Sequence, residues 1–263
     1  MRNFAAVRTA RTIIQHRWLV YEMVKREIKL RYRGTWLGFL WTMLNPLIMT
    51  AVYTLVFQYI LKVGIPNYSA FLFCALLPYN WFNEAVNTGM GCILDRPNYV
   101  RDSIFPTQIL PVTSIAVGMM NYVFALPILF IILLVFKVTL TWYILALPLI
   151  MLIQFLFALG IVFFLATYNV FLRDLRYIVQ NVLMALFFIT PVMYDIKTVP
   201  ERFQFVFSYN PLTQLIYAYR AIFISGAAPN WERLGWVLAI AVALVFFGAW
   251  VFESHRETFA EYL

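Results

Sequence analysis

Residues 25–46 read KREIKLRYRGTWLGFLWTMLNP and join a strongly basic segment directly to an apolar one. The first nine of them carry five cations and a single acid, and no further charge follows until Lys62. The cations are Lys25, Arg26, Lys29, Arg31 and Arg33. This order predicts a helix that lies in the membrane interface and leads into a membrane-spanning helix.

The spacing of these residues divides the interfacial helix into two faces, because successive helical residues are about 100° apart. One arc is basic and holds Lys25, Arg26, Lys29 and Arg33. The neighbouring arc is apolar and holds Tyr21, Val24, Ile28 and Tyr32. Two interpretations of the five cations, Arg31 included, remain open. The cations fix the topology through the positive-inside rule, or they form a clamp for an anionic lipid head group.

The composition is that of a polytopic membrane protein. Hydrophobic residues make up 63% of the chain and charged residues 12%, against roughly 45–50% and 25% in soluble domains. The net charge of +8 comes mainly from cations beside apolar runs, which favours anionic membrane lipids over nucleic acid as partners. Cys74 and Cys92 fall within one apolar run, so we expect buried free thiols.

Runs without charge locate the membrane spans, because a charge at the bilayer centre costs at least ~2.5 kcal/mol. We predict an all-α fold with six transmembrane helices in one domain. The spans fall within residues 34–61, 69–94, 109–136, 143–168, 177–194 and 234–252. Residues 1–33 form the N-terminal amphipathic segment, residues 34–253 the transmembrane domain and residues 254–263 the tail.

Residues 195–233, between the fifth and sixth predicted spans, are aromatic and broken by Asn210-Pro211. The break leaves two pieces too short to cross a membrane, so we expect short helices that dip into the outer leaflet. With six spans, 14 Lys and Arg residues lie on the side of the N-terminus and 6 on the opposite side. The positive-inside rule therefore predicts that both termini are cytoplasmic.

The sequence lacks the common patterns for nucleotide and metal binding. No Gly is followed by Lys, so the phosphate-binding loop G-x-x-x-x-G-K-[ST] is absent. The two histidines, His16 and His255, lie at opposite ends of the chain and do not form metal-ligand spacing. We therefore predict no catalytic residue, no metal and no cofactor bound by this chain.

Glu84 is the one ionisable residue well inside a predicted span, which makes it a candidate functional group. One interpretation is a packing role, in which the carboxyl hydrogen-bonds Asn80, Asn83 or Asn87. The other is a role in transport. We favour packing.

Aromatic residues make up 19% of the chain and are dense around the fifth span and the segment that follows it. Interface belts and ordinary packing account for most of them. Because flat ring faces suit stacking on sugars, we also predict a glycan path. Its candidate residues are Tyr53, Phe57, Phe187, Phe188, Tyr194 and Tyr209.

Five motifs occur in a characteristic order along the chain. They are RYRGTWLGFLWTMLNP at 31–46, FPTQILP at 105–111, RDLRYIVQ at 173–180, TPVMY at 190–194 and NPLTQLIYAYR at 210–220. Together they resemble the type-2 ABC transporter permeases that export polysaccharides, the O-antigen, capsule and teichoic acid group. The resemblance covers nearly the whole chain, and residues 34–46 are more similar to the O-antigen and teichoic acid branch.

The resemblance implies a homodimer in the bacterial inner membrane that carries a lipid-linked polysaccharide out of the cytoplasm. Two copies of a separate ATPase would bind ATP and Mg²⁺. Residues 18–33 resemble the interface helix beside the site where the lipid pyrophosphate enters. Residues 195–233 resemble outer gate helices, and the first and fifth spans a lateral gate.

The charged loops 95–105 and 171–176 resemble the two coupling elements that would dock into the ATPase. Their candidate residues are Arg96, Arg101, Asp102, Arg173, Asp174 and Arg176.

Three other functions remain open from the sequence. A type-2 permease for a drug or small hydrophobic molecule would share the fold. A membrane enzyme acting on lipid-linked sugars would need clustered acid, base or metal residues, and the predicted outer side has only scattered Asp195, Glu201 and Glu232. A channel would need a polar lining that Glu84 and a few Asn residues alone could supply.

Overall fold

The computed structural model describes residues 5–34, 36–102 and 104–263, and this part of the chain forms helices and no β-strand. Residues 1–4, Thr35 and Ser103 lie outside the described residues; they belong to the predicted N-terminal segment, first span and first charged loop. The same holds for the side chain of Tyr32. The helices are α1 (Ala5–Gln15), α2 (Arg17–Tyr32), α3 (Trp41–Thr54), α4 (Tyr68–Gly91), α5 (Pro97–Arg101), α6 (Ile109–Val135), α7 (Leu147–Phe171), α8 (Leu175–Ile189), α9 (Glu201–Ser208), α10 (Pro211–Arg220) and α11 (Trp231–His255).

Within the described residues, four helical stretches are long and apolar enough to cross a membrane. They are Trp41–Ile60, Ile109–Val135, Trp142–Phe171 and Trp231–Glu261. They coincide with the first, third, fourth and sixth predicted spans. Helix α4 covers the second predicted span with 24 residues, a length of about 36 Å, but it is more polar than the four. The six-span count therefore stays a prediction.

Helix α8 is shorter than the fifth predicted span, which was expected to reach Tyr194. It has 15 residues and ends at Ile189, so it is about 22 Å long. The physical reason is Pro191, whose ring disfavours helical geometry at the residue before it. Thr190 accordingly adopts an extended conformation.

Helix α4 lies at the centre of the fold, packed against α3, α6, α7, α8 and α10. Most of its side chains are buried, and polar contacts tie it to its neighbours. Trp81 donates from Nε1 to the carbonyl oxygen of Ile115 in α6 at 3.2 Å. Gln154 of α7 donates to the carbonyl oxygen of Pro78 at 2.8 Å. Both Cys74 and Cys92 are buried free thiols near the two ends of this helix.

The two ends of the chain meet at one end of the helical bundle. Helix α1 packs against α11, and Arg8 forms an ion pair with Glu253 at 3.5 Å. The tail folds back as a 3-10 helix, Arg256–Glu261, with Phe259 fully buried. Tyr262 then packs its ring 4.9 Å from the ring of Phe171, beside the second charged loop. The first and last helices thus meet at the same end of the bundle.

At the opposite end, α9 and α10 are separated at Asn210. The side chain of Asn210 accepts a hydrogen bond from the backbone N–H of Leu212 at 3.0 Å, and Pro211 occupies the first turn of α10. This is the usual chemistry of a helix start. The two short helices therefore follow from the same dipeptide that broke the sequence pattern.

Arg220, the last residue of α10, fixes this segment to the core. Its guanidinium is buried and donates to the carbonyl oxygens of Pro191 at 2.7 Å and Val192 at 2.8 Å. It also lies 3.5 Å from the centre of the Phe71 ring in α4. Arg220 thus joins the exit of α8 to α10 and α4.

Candidate functional site

A basic cleft lies between α2 and the short turn Gly38–Leu40, with a volume of about 670 Å³. Positive φ angles at Gly34 (81°) and Gly38 (50°) let the chain fold back beneath α2. We define the basic cleft by its four cations, and Glu22, Leu30 and Gly38 complete its wall. The cations are Lys25, Arg26, Lys29 and Arg33. The structure thus brings together the whole basic arc that helical spacing predicts.

Arg31 does not belong to the basic cleft, although the sequence places it with the other cations. It is two residues beyond Lys29 and therefore about 200° around the helix from it. Its guanidinium instead forms an ion pair with Glu84 of α4. The structure therefore separates Arg31 from the other four cations predicted for the head-group site, because its side chain faces the transmembrane bundle.

The face of α2 that packs on the bundle is also rotated from the predicted apolar arc. Among the described side chains of this helix Met23 is the buried one, whereas Tyr21 is 56% exposed. Val24 and Ile28 are half-buried, as that arc requires. The rotation brings Glu27 inward, where its carboxylate forms an ion pair with the guanidinium of Arg96 at 2.9 Å.

A polar cleft of about 620 Å³ lies between α3, α4 and α6. Its polar wall consists of Arg31, Thr42, Asn45, Asn80, Asn83, Glu84 and Asn121. Glu84 accepts hydrogen bonds from the Nδ2 of Asn121 at 3.0 and 3.1 Å, in addition to its ion pair with Arg31. The carboxylate therefore joins three helices, α2, α4 and α6.

The predicted partners of Glu84 were on its own helix, and the structure corrects this. Asn87 donates instead to the backbone oxygen of Asn83 at 3.0 Å, and no hydrogen bond between Glu84 and the predicted Asn side chains occurs among the described residues. Asn121 is 37 residues from Glu84 in sequence. Nothing in the sequence pattern of α6 identifies Asn121 as the partner.

A third cavity, of about 410 Å³, opens between α3, α4 and α8. Among the predicted glycan-path residues, Tyr53 and Phe187 line it, with ring centres 6.3 Å apart. Tyr79 lies 5.0 Å from Phe187 and donates its hydroxyl to the carbonyl oxygen of Leu183 at 2.6 Å. Tyr79 lines the same cavity, although it is not among the candidates chosen from the sequence. We call this space the aromatic cavity.

The other four aromatic candidates do not line the aromatic cavity. Phe188 contacts Phe187 and so borders it, whereas Phe57 stacks on Tyr68, which does not line it. Tyr194 and Tyr209 lie elsewhere. Their ring centres are 6.1 Å from Phe207 and 6.4 Å from Trp236. They lie outside the aromatic cavity because α8 ends at Ile189, before Tyr194. Their place on a glycan path stays a prediction.

Tyr194 has a local structural contact of its own. Its hydroxyl donates to the carbonyl oxygen of Phe188 at 2.6 Å.

The two charged loops meet at the end of the bundle that holds the chain ends. Arg176 pairs with Asp95 at 3.1 Å, and a cavity of about 390 Å³ lies between the loops and the tail. Arg96 is turned toward Glu27 of α2. The remaining coupling candidates are exposed and are Arg101, Asp102, Arg173 and Asp174. The six predicted coupling residues thus separate into two that hold the loops and four that face outward.

Side chains that could bind a metal ion do not cluster in the described part of the chain. Its His, Cys, Asp and Glu side chains form no group of three or more that could hold a metal ion. That this chain binds no cofactor stays a prediction.

Comparison with known proteins gives one family and several full-length relatives. The family described as ABC-2 type transporter matches residues 19–224. The chain is 38% identical over 257 residues to the O-antigen export system permease protein RfbA of Myxococcus xanthus, covering 97% of this chain and 99% of that protein. A protein of the same name from Klebsiella pneumoniae is 29% identical over 247 residues, 93% of this chain and 95% of its own. The polysialic acid transport protein KpsM of Escherichia coli is 23% identical over 244 residues, with coverages of 88% and 91%.

Proposed function

Because the chain belongs to the ABC-2 type transporter family and is the permease of a polysaccharide exporter, we propose that its cargo is a lipid-linked glycan similar to O-antigen. The glycan would cross the bacterial inner membrane from the cytoplasm. The relatives named above are permease or transport proteins, which supports a transport subunit rather than an enzyme.

The observation that carries this proposal is the basic cleft. Its four cations lie on one face of α2, next to the start of α3. Arginine forks can bind phosphate oxygens in pairs, and lysines add compact positive charges, so the set suits a pyrophosphate. A lipid-linked glycan presents such a group at the membrane interface while its chain stays in the bilayer. A cargo without an anionic head group would leave this cluster without a ligand.

The exposed faces of α3 and α8, next to the aromatic cavity, support a glycan path that a second copy of the chain completes. In α3 the buried residues are Thr50 and Thr54, and in α8 they are Val179 and Leu183. Most of the other apolar side chains of α8 and about half of those of α3 are exposed. We propose that a second protomer covers part of these faces, and that the glycan passes between the protomers along rings such as Tyr53.

The energy would come from a separate ATPase, with two copies that bind ATP and Mg²⁺. We propose that they dock on the end of the bundle where the two charged loops meet, which is then cytoplasmic. The exposed charges Arg101, Asp102, Arg173 and Asp174 offer the docking contacts. The ion pairs Arg176–Asp95 and Arg96–Glu27 would transmit a movement of the loops to the helices.

The test of the proposed function is a quadruple alanine substitution of the basic cleft, at Lys25, Arg26, Lys29 and Arg33. Without these cations the pyrophosphate has no binding site. We expect export to fall at least about tenfold, which corresponds to ~1.4 kcal/mol. The measurement is surface glycan in a deletion strain that expresses the variant, together with the lipid-linked glycan that accumulates inside.

The matched control is the double variant Arg11→Ala and Arg17→Ala, which removes two exposed cations outside the basic cleft. It should insert and export normally. If the quadruple variant inserts as well as the control and exports at the normal rate, the basic cleft does not bind the cargo.

A further inference from the structure

One residue of the basic cleft also holds the first charged loop. Arg26 lines the cleft and donates from Nη1 to the phenol oxygen of Tyr99 at 2.6 Å, across 73 residues of sequence. Tyr99 lies in α5 (Pro97–Arg101) and is half-buried. Its ring centre is 4.8 Å from that of Phe105, just before α6. The hydroxyl thus faces the cleft residue while the ring packs on the loop.

A second contact runs beside the first. Glu27, the next residue of α2, pairs with Arg96 at 2.9 Å, and Arg96 directly precedes α5. The two contacts join the start and the middle of α5 to α2. Helix α5 ends at Arg101, so the exposed charges Arg101 and Asp102 lie two and three residues beyond Tyr99, the residue that contacts Arg26.

The chemistry of arginine lets one guanidinium serve both contacts. It has five N–H donors in a rigid fork. Nη1 binds Tyr99, and the remaining donors stay available to a phosphate in the cleft. A guanidinium already held in place loses less conformational entropy when it binds an anion. Tyr99 can therefore favour the binding of an anion that it does not touch.

We propose that Tyr99 is a positioning residue that couples the basic cleft to the docking of the ATPase. Through Arg26, an occupied cleft fixes α5 in the orientation that the ATPase binds, and a docked ATPase orders Arg26 for the head group. Coupling of this kind is reciprocal, so each ligand raises the affinity of the other by the same factor. The inference rests on the proposed function, since it needs both the head-group cleft and the ATPase.

The experiment measures two dissociation constants with purified permease and its ATPase subunit in detergent. Farnesyl diphosphate is the probe for the cleft, and farnesol is the control for its apolar tail. In the wild type we expect farnesyl diphosphate to tighten ATPase binding by about fivefold or more, and the ATPase to tighten probe binding equally. Farnesol should change neither constant.

Tyr99→Phe is the diagnostic variant, because it removes the hydroxyl and keeps the ring against Phe105. We expect the coupling factor to fall close to 1, while probe binding to the permease alone weakens by only ~2–10-fold. Arg26→Lys keeps the charge without the fork and should also abolish the coupling. Tyr59→Phe removes an exposed phenol of the π-helical turn after α3, outside the basic cleft, and should match the wild type.

The outcomes separate this inference from the proposed function. If the wild type binds farnesyl diphosphate and Tyr99→Phe keeps the full coupling factor, Tyr99 has no such role and the basic cleft stands. If farnesol gives the same coupling, the effect comes from the tail and the inference fails. If the wild type does not bind farnesyl diphosphate, the head-group site and the inference fail together.

Discussion

At the residue scale, the ion pair of Arg31 and Glu84 joins the interfacial helix to the centre of the bundle. The two side chains are 36% and 25% exposed, between a surface pair and a buried one. Surface pairs contribute ~0–1 kcal/mol, and breaking a buried pair costs ~3–5 kcal/mol. Removal of either partner leaves the other half-buried charge without this counter-charge. The pair should therefore contribute to stability as a unit.

A double-mutant cycle with Arg31→Met and Glu84→Gln tests this unit. The amide introduced by Glu84→Gln can still accept a hydrogen bond from Asn121 but cannot neutralise Arg31. We expect each single variant to lose ~1–3 kcal/mol of stability and the double variant to lose less than the sum. The measurement is thermal unfolding of the purified permease.

Glu22→Gln is the control for the cycle, because Glu22 pairs with Lys25 at 3.7 Å on an exposed surface. It should change stability by less than ~0.5 kcal/mol. Additive losses in the cycle would contradict the coupling. Normal unfolding together with lost export in Glu84→Gln would instead assign Glu84 to transport.

These residues also mark what periodicity can and cannot predict. The sequence predicts that Lys25, Arg26, Lys29 and Arg33 share a face, because they belong to one helix. It does not identify Asn121 or Tyr99, because their contacts cross between helices far apart in sequence. For Arg220 a signal existed, since it is the only charge in residues 203–224. A lone buried cation requires acceptors, and here two backbone carbonyls supply them.

At the element scale, glycine allows α7 and α11 to approach closely. A Cβ atom built on Gly160 would lie 2.5 Å from the carbonyl carbon of Leu244. One built on Gly248 would lie closer than 3.0 Å to the carbonyl oxygen of Gly160. Small residues at such crossings permit the backbone packing that stabilises helix pairs in membranes.

Gly248→Ala should therefore force the two helices apart, since the clash is with backbone and cannot be relieved by a side-chain movement. We expect a loss of ~1–3 kcal/mol, measured as thermal unfolding and as the folded fraction on size exclusion. Gly235→Ala is the matched control in the same helix, where a Cβ would meet nothing within 4 Å. It should leave stability unchanged or raise it by up to ~1 kcal/mol. Equal behaviour of the two variants would show that the crossing tolerates a Cβ.

Helix boundaries follow from the sequence where local chemistry decides them. Asn210-Pro211 breaks the outer segment, and Pro191 ends α8, although the apolar pattern alone extends the prediction to Tyr194. The rotation of α2 about its axis does not follow from local sequence, because it depends on the ion pair with Arg96, a residue of the first charged loop. Helix α1 and the folded tail were not predicted as separate elements, since neither has an apolar run long enough to indicate a membrane span.

At the scale of the whole molecule, composition and charge predict a helical membrane protein, and the described residues include four stretches that fit a membrane span. Two helices decide whether the count is six. Helix α4 is polar because its Asn and Glu side chains face the polar cleft and the aromatic cavity, and neighbouring helices shield it. Helix α8 is short. Hydropathy scores how readily each side chain transfers into lipid. A helix that neighbouring helices enclose can carry polar side chains, so its hydropathy is too low to identify it as a span.

Reporter fusions on both sides of α4 and α8 resolve the count. A phosphatase reporter, active outside the cytoplasm, should be active after Gly64 and Lys197 and inactive after Arg96, Arg173 and Leu263. The charge asymmetry of 14 to 6 cations favours that orientation. If α4 does not cross, the fusions after Gly64 and Arg96 report the same side; if α8 does not cross, those after Arg173 and Lys197 do. Activity after Leu263 would place the charged loops outside the cell, where no ATPase that uses cytoplasmic ATP could dock.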